Sequence, residues 1–171
     1  MKLISFDIEI SKILPEFSGN LFEHSPLGIS CAAVAHDEVK FWQAVPNLSK
    51  EENQQMVRDL MAYAEAGYSF VTWNGCGFDF RLLAEESGMF EECGKLALNH
   101  VDLMLLVTFT KGWFLGLDKA LKGAGIAGKV KELPLKSGEI LHDMNGGMAP
   151  KLWKDGEYDS VLTYLRGDVE Q

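Results

Sequence analysis

At 171 residues, with 47% hydrophobic and 24% charged, the chain has the size and composition of one globular domain with a full core, and 1–171 is read as a single domain. No apolar run is long enough to span a bilayer, and MKLISFDIE lacks a basic region followed by a cleavable apolar stretch, so no membrane contact and a cytoplasmic setting are expected. The net charge of −9, from 16 basic and 25 acidic residues, argues against a protein that coats long nucleic acid but not against one that grips a strand end.

In chain order, residues 2–10 (KLISFDIEI) read as a buried strand whose pattern is broken by Asp7 and Glu9. Pro15, Gly19, Asn20 and Pro26 mark 11–27 as a loop. GISCAAVA and EVKFWQAV, joined at His36–Asp37, predict an antiparallel hairpin beside the first strand. Ser49 and Glu52 form a capping-box pattern that opens a helix through Ala66, with Gly67 as its stop. YSFVTW is a further strand, and its polar tail, Asn74 and Gly75, leads into a helix beginning near Asp79. HVDLMLLVTF fits helix and strand equally. GLDKALKGAGIAGK predicts a short helix, 130–148 an irregular segment, and APKLWKDG and GEYDSVLTYLRGDVE two closing helices. Strands, a crossover helix, another strand and more helices make a mixed-sheet α/β layout.

Four acids stand where acids are usually unwelcome. Asp7 and Glu9, two apart on a strand, point to one face, where two desolvated carboxylates repel unless a cation or water bridges them. A strand ending at Phe6 with both acids solvated is the equal alternative, since D-x-E is a common tripeptide. In WNGCGFD, two glycines permit a tight turn and Asp79 falls in the first turn of a helix, a position that favours an anion through the helix dipole even without a function. Asn74 also fits a simple turn former. Tyr164 and Asp168 lie four apart on one face of the last helix, amid Val161, Leu162 and Leu165; a shared surface hydrogen bond is the simpler reading of that pair alone.

Taken together, the motifs FDIE at Phe6 to Glu9, N-x-x-x-F-D at Asn74, Phe78 and Asp79, and Y-x-x-x-D at Tyr164 and Asp168 resemble the DEDD superfamily of 3′–5′ exonucleases. Tyrosine in the third motif points to the branch related to the proofreading domains of family B DNA polymerases; the histidine branch needs His where this chain has Thr163. The resemblance spans nearly the whole chain. It implies a ribonuclease H-like fold, a mixed five-stranded sheet flanked by helices, and hydrolysis of the 3′-terminal phosphodiester of single-stranded DNA or RNA to nucleoside 5′-monophosphates. It implies two Mg²⁺ or Mn²⁺ ions, with Asp7, Glu9 and Asp168 holding one and Asp7 bridging to a second that Asp79 assists. Such ions stand roughly 3.5–4 Å apart, where they serve both the attacking and the leaving oxygen. Tyr164 then positions the attacking water, and Asn74 and Phe78 neighbour the terminal nucleotide. Ile10, where many relatives carry Thr, occupies a third nucleotide-binding position.

Two alternatives share the fold: a nucleic-acid-binding module without turnover, and an internally cleaving nuclease of the ribonuclease H type. The presence of all four acids and the tyrosine favours an enzyme. His100 and Asp102 form an H-x-D, but Asp102 is the better anchor for the segment that follows it. His24, His36, His100 and His142 share no metal-binding spacing, and the three cysteines, Cys31, Cys76 and Cys93, read as reduced thiols. Trp73, Trp113 and Trp153 are candidates for base stacking, although core packing suits Trp73.

Overall fold

In the computed structural model, residues 2–15 and 20–171 are described; Glu16 to Gly19, part of the expected loop, lie outside them. Five strands form a mixed sheet in the order β3-β2-β1-β4-β5: β1 (Lys2–Ile10), β2 (Ile29–Ala35), β3 (Val39–Gln43), β4 (Tyr68–Thr72) and β5 (Val101–Asp102). β2 runs antiparallel to both β1 and β3, whereas β4 is parallel to β1 and β5 to β4. This is the expected five-stranded mixed sheet. Seven helices flank it: α1 (Lys50–Glu65), α2 (Asp79–Ser87), α3 (Phe90–Leu98), α4 (Leu103–Lys111), α5 (Leu117–Gly123), α6 (Ala149–Lys154) and α7 (Tyr158–Glu170).

Local chemistry accounts for the boundaries. Ser49 Oγ accepts from the Glu52 N–H at 3.2 Å while Glu52 returns a carboxylate to the Ser49 N–H at 2.7 Å, so the expected capping box opens α1. The undecided stretch after His100 is both things: two residues of strand, then a helix capped by Asp102. α3 was not anticipated, although Cys93 and Leu96 bury one side of it and Glu91 pairs with Lys95 one turn on. The segment expected to be irregular holds a small two-stranded ladder, β6 (Leu133–Pro134) with β7 (Ile140–Leu141).

The two faces of β1 divide the core. Ile4, Phe6, Ile8 and Ile10 face α1, α2 and α3, where Phe6 stacks on Phe80 at 5.5 Å between centroids and meets Phe70 edge-on at 6.1 Å. On the other face, Cys31 and Ala33 of β2 pack under Trp153 of α6 and Tyr164, Leu165 and Val169 of α7. Strand alternation sends Ser5, Asp7 and Glu9 to this second face, beneath α7. Ile10 is 8% exposed and packs in the core cluster with Ile4, Phe6 and Ile8.

Candidate active site

β1 outruns its parallel neighbour. Its pairing with β4 ends at Ser5 and Val71, while the strand continues to Ile10 and shifts register against β2 between Glu9 and Ile10. Past Ser5 the β4 side of the strand is left unpaired. Asp79 reaches this edge from the first turn of α2, and its carboxyl lies against that of Asp7. Asp168, one turn after Tyr164 on α7, comes down from above the sheet. Asp7, Glu9 and Asp168 each offer a carboxylate oxygen within 4.8 Å of the others.

Such crowding has an electrostatic cost. Burial, then the charge of Asp168, raises the Asp7 carboxyl from 3.8 to about 7, although Lys129 pulls it down. Burial and then the charge of Asp7 push Glu9 and Asp79 well above the usual carboxylate range. Burial also raises Asp168, and the ammonium of Lys129, 2.5 Å from its Oδ2, opposes that rise. Four acids thus crowd round one cation, and each is made harder to ionise.

The oxygens also lack partners. Asp79 Oδ1 and Asp168 Oδ1 are buried and accept no hydrogen bond among the described residues. Orphaned carboxylate oxygens, all hard donors with no nitrogen or sulfur among them, fit divalent ions of the magnesium and manganese kind. Asp7, Glu9 and Asp168 would hold one ion, with Asp79 beside them.

A family model of the RNase H superfamily matches residues 6–168, which begins at the first motif and ends on Asp168. The chain belongs to the RNase H superfamily. No curated protein matches it. Among solved structures it is similar to the family B DNA polymerase from the hyperthermophilic archaeon Pyrobaculum calidifontis, with a TM-score of 0.61 and 16% identity. That match covers 98% of this chain and 23% of the polymerase, so the chain spans about a quarter of that protein's length. At this identity the likeness is one of fold, and it agrees with the family B resemblance read from the sequence.

Within this RNase H superfamily fold, Tyr164 is 1% exposed and approaches the acids from the core, its phenol set against Asp168 and Lys129. Burial first, then Asp168, raises the phenol far above its ordinary range, so it stays protonated and able to donate. Lys129 is the site residue that the sequence motifs do not mark. Its Nζ stands 4.6 Å from the Tyr164 ring centroid as well as against Asp168, and those neighbours raise it further despite its burial. It follows a glycine-rich turn with no periodicity, so nothing local singles it out.

The Asn74 turn is held by Asp102. The Asn74 and Cys76 N–H groups donate to its carboxylate at 3.0 and 3.2 Å, and the Met104 N–H at 3.0 Å. Asn74 adopts φ 69, a left-handed conformation that suits asparagine, and a Cβ at Gly75 would meet Thr72 Oγ1 at 2.2 Å. Asp102 is thus the structural anchor expected, with His100 Nε2 3.8 Å away. Phe78 is half-buried against Phe22, at 6.1 Å between ring centroids. Trp153 is a core residue whose Nε1 donates to the Ala44 carbonyl at 3.2 Å, Trp73 is half-buried beside the site, and Trp113 is 61% exposed. No helix among the described residues is long and apolar enough to cross a membrane.

Proposed function

We propose that this domain is a 3′–5′ exonuclease that removes nucleoside 5′-monophosphates from the 3′ end of single-stranded DNA or RNA, using Mg²⁺ or Mn²⁺. The observation that carries this reading is the convergence of Asp7, Glu9 and Asp168 within 4.8 Å, with the carboxyl of Asp79 against that of Asp7. When bound, a pair of divalent ions supplies charge stabilisation to the phosphate and to the leaving 3′-oxygen.

The remaining chemistry belongs to side chains. The carboxylates hold the ions and fix where the phosphate lies. The Tyr164 hydroxyl, kept protonated, donates a hydrogen bond that orients the attacking water, and Lys129 holds Asp168 in place while offsetting part of the cluster's negative charge. Asn74 and Phe78, at the turn that delivers Asp79, flank the terminal nucleotide. Orientation groups of this kind contribute roughly 10²–10⁴-fold.

Single strands of DNA and RNA labelled at the 5′ end, incubated with Mg²⁺ or Mn²⁺, test the proposal. Stepwise shortening from the 3′ end, lost in Asp7→Ala, is the expected result. Internal cuts would mean an RNase H-type endonuclease, and no products from wild type would mean a silent binding module.

A further inference from the structure

The proposed active site accounts for the carboxylates but not for the stretch of chain between Asp102 and Lys131. α4 buries none of its residues. Of the thirteen exposed large hydrophobic side chains among the described residues, seven lie within 103–131. Three of them are aromatic: Phe109, Trp113 and Phe114 are 91%, 61% and 71% exposed. The charge of this stretch is also the reverse of the protein's. Five lysines (111, 119, 122, 129 and 131) face one acid, Asp118, a net +4 that leaves −13 for the rest of a chain of net −9. Lys122 and Lys131 share Asp118, at 2.9 and 3.4 Å, and Lys129 pairs with Asp168. Lys111 and Lys119 are exposed and make no ion pair among the described residues.

Both ends of this arm are fastened at the site. At its root, Asp102 caps α4 with the same carboxylate that holds the turn leading to Asp79. At its far end, Lys129 grips Asp168. Between them, Leu103, Leu117 and Leu121 line a cleft of about 510 Å³ whose wall includes Asp7 and Asp168.

We propose that the 103–131 arm is a landing surface for single-stranded nucleic acid, in which Phe109, Trp113 and Phe114 stack on bases and Lys111 and Lys119 meet phosphates, upstream of the 3′ end held at the carboxylates. This rests on the nuclease reading of the site and gives it the strand grip that the acidic remainder lacks. Exposed aromatics interleaved with lysines are what a sequence-tolerant single-strand groove requires. A protein partner is a poorer match, since lysine is depleted where proteins bury surface against each other. A second copy is poorer still, because an isologous contact would press one +4 arm against another.

The test separates grip from chemistry. Affinity for a 5′-fluorescein oligothymidylate of roughly 12 nucleotides is measured by anisotropy with Ca²⁺ present, beside hydrolysis of thymidine 5′-p-nitrophenyl phosphate with Mn²⁺, a substrate with no further bases to stack on the exposed aromatics. Trp113→Ala with Phe114→Ala should weaken oligonucleotide binding roughly 5- to 100-fold per stacked base lost and leave ester hydrolysis within about twofold. Lys111→Ala with Lys119→Ala should lower the slope of log affinity against log salt by about 1.4. Wild-type affinity and salt slope in both variants would overturn the inference and leave the nuclease reading standing, as would a wild-type dimer that these exposed-residue variants turn into a monomer without loss of oligonucleotide affinity. Oligonucleotide binding that depends on the arm, with no hydrolysis of ester or strand, would overturn the nuclease reading alone.

Discussion

Asp7→Asn should stabilise the metal-free protein, and by an amount that depends on pH. The Asp7 carboxyl is raised from 3.8 to about 7 in the folded state, chiefly by burial and then by Asp168. A raised acid helps the folded state below its unfolded pKa, where both states carry the proton, and that help is lost as pH climbs through the folded value. A rise of about three units at 1.36 kcal/mol each is about 4 kcal/mol, a large share of the roughly 5–15 kcal/mol that holds a domain folded. Urea unfolding in EDTA at constant ionic strength should therefore show wild type losing stability from about pH 4 to about pH 8, with the variant's curve less steep and still sloped by Glu9 and Asp79. The two should coincide near the acid end, and the variant should lead by as much as about 4 kcal/mol near pH 8. Mg²⁺ or Mn²⁺ should narrow that lead near pH 8 and reverse the order at lower pH, because only wild type gains the linkage term, about 2.7 kcal/mol at one hundred times the dissociation constant. A variant that is no more stable than wild type near pH 8, or that unfolds outright, would show that Asp7 is a structural acid and refute the reasoning.

Lys129→Met removes the ammonium that opposes the rise of Asp168, so the Asp168 carboxyl should titrate at higher pH by carbon-13 NMR, with single-turnover hydrolysis slower by roughly 10²-fold. Tyr164→Phe keeps the packing of a buried ring but loses the donor; turnover should fall roughly 10²–10⁴-fold while the melting temperature and the divalent-ion response stay near wild type, and unchanged single-turnover rates would remove Tyr164 from the mechanism. Asp102→Ala should behave in the opposite way to Asp7→Asn, losing roughly 2–4 kcal/mol in urea melts at neutral pH because buried N–H groups of two elements lose their acceptor, with partial rescue by Asp102→Asn.

The strand acids were legible because Asp7 and Glu9 interrupt an otherwise apolar run, and Tyr164 and Asp168 because helical spacing puts them on one face. Asn74, Gly75 and Asp79 were legible as a turn feeding a helix. Ile10 was marked by its motif position alone, and its packing with Ile8 in the core, past the register shift after Glu9, has no sign in the motif. Lys129 was missed for the reverse reason. It gains its role only by lying across α7 from a glycine-rich turn, a tertiary relation with no local signature. α3 had the signal, with apolar residues spaced for a helix at Met89, Cys93 and Leu96, but Gly88 and Gly94 obscured it. The exposed face of α4 shows the limit of periodicity: LMLLVTF is almost wholly apolar, yet Leu105, Leu106 and Phe109 lie exposed.

The bond from the Ser5 hydroxyl to the Val169 carbonyl joins residues 164 positions apart, and it lies directly beside the carboxylate set. The centre of this domain is thus closed by contacts of extreme sequence separation, the kind whose loop entropy makes them costly to form early. As the chain leaves the ribosome, β1 finds β2 long before α7 exists. In that interval Asp7 and Glu9 lie on the sheet beside Cys31 and Ala33 without the cover of α7. Only the arrival of the final helix brings Asp168 and Tyr164 to the two strand carboxylates and completes the cluster.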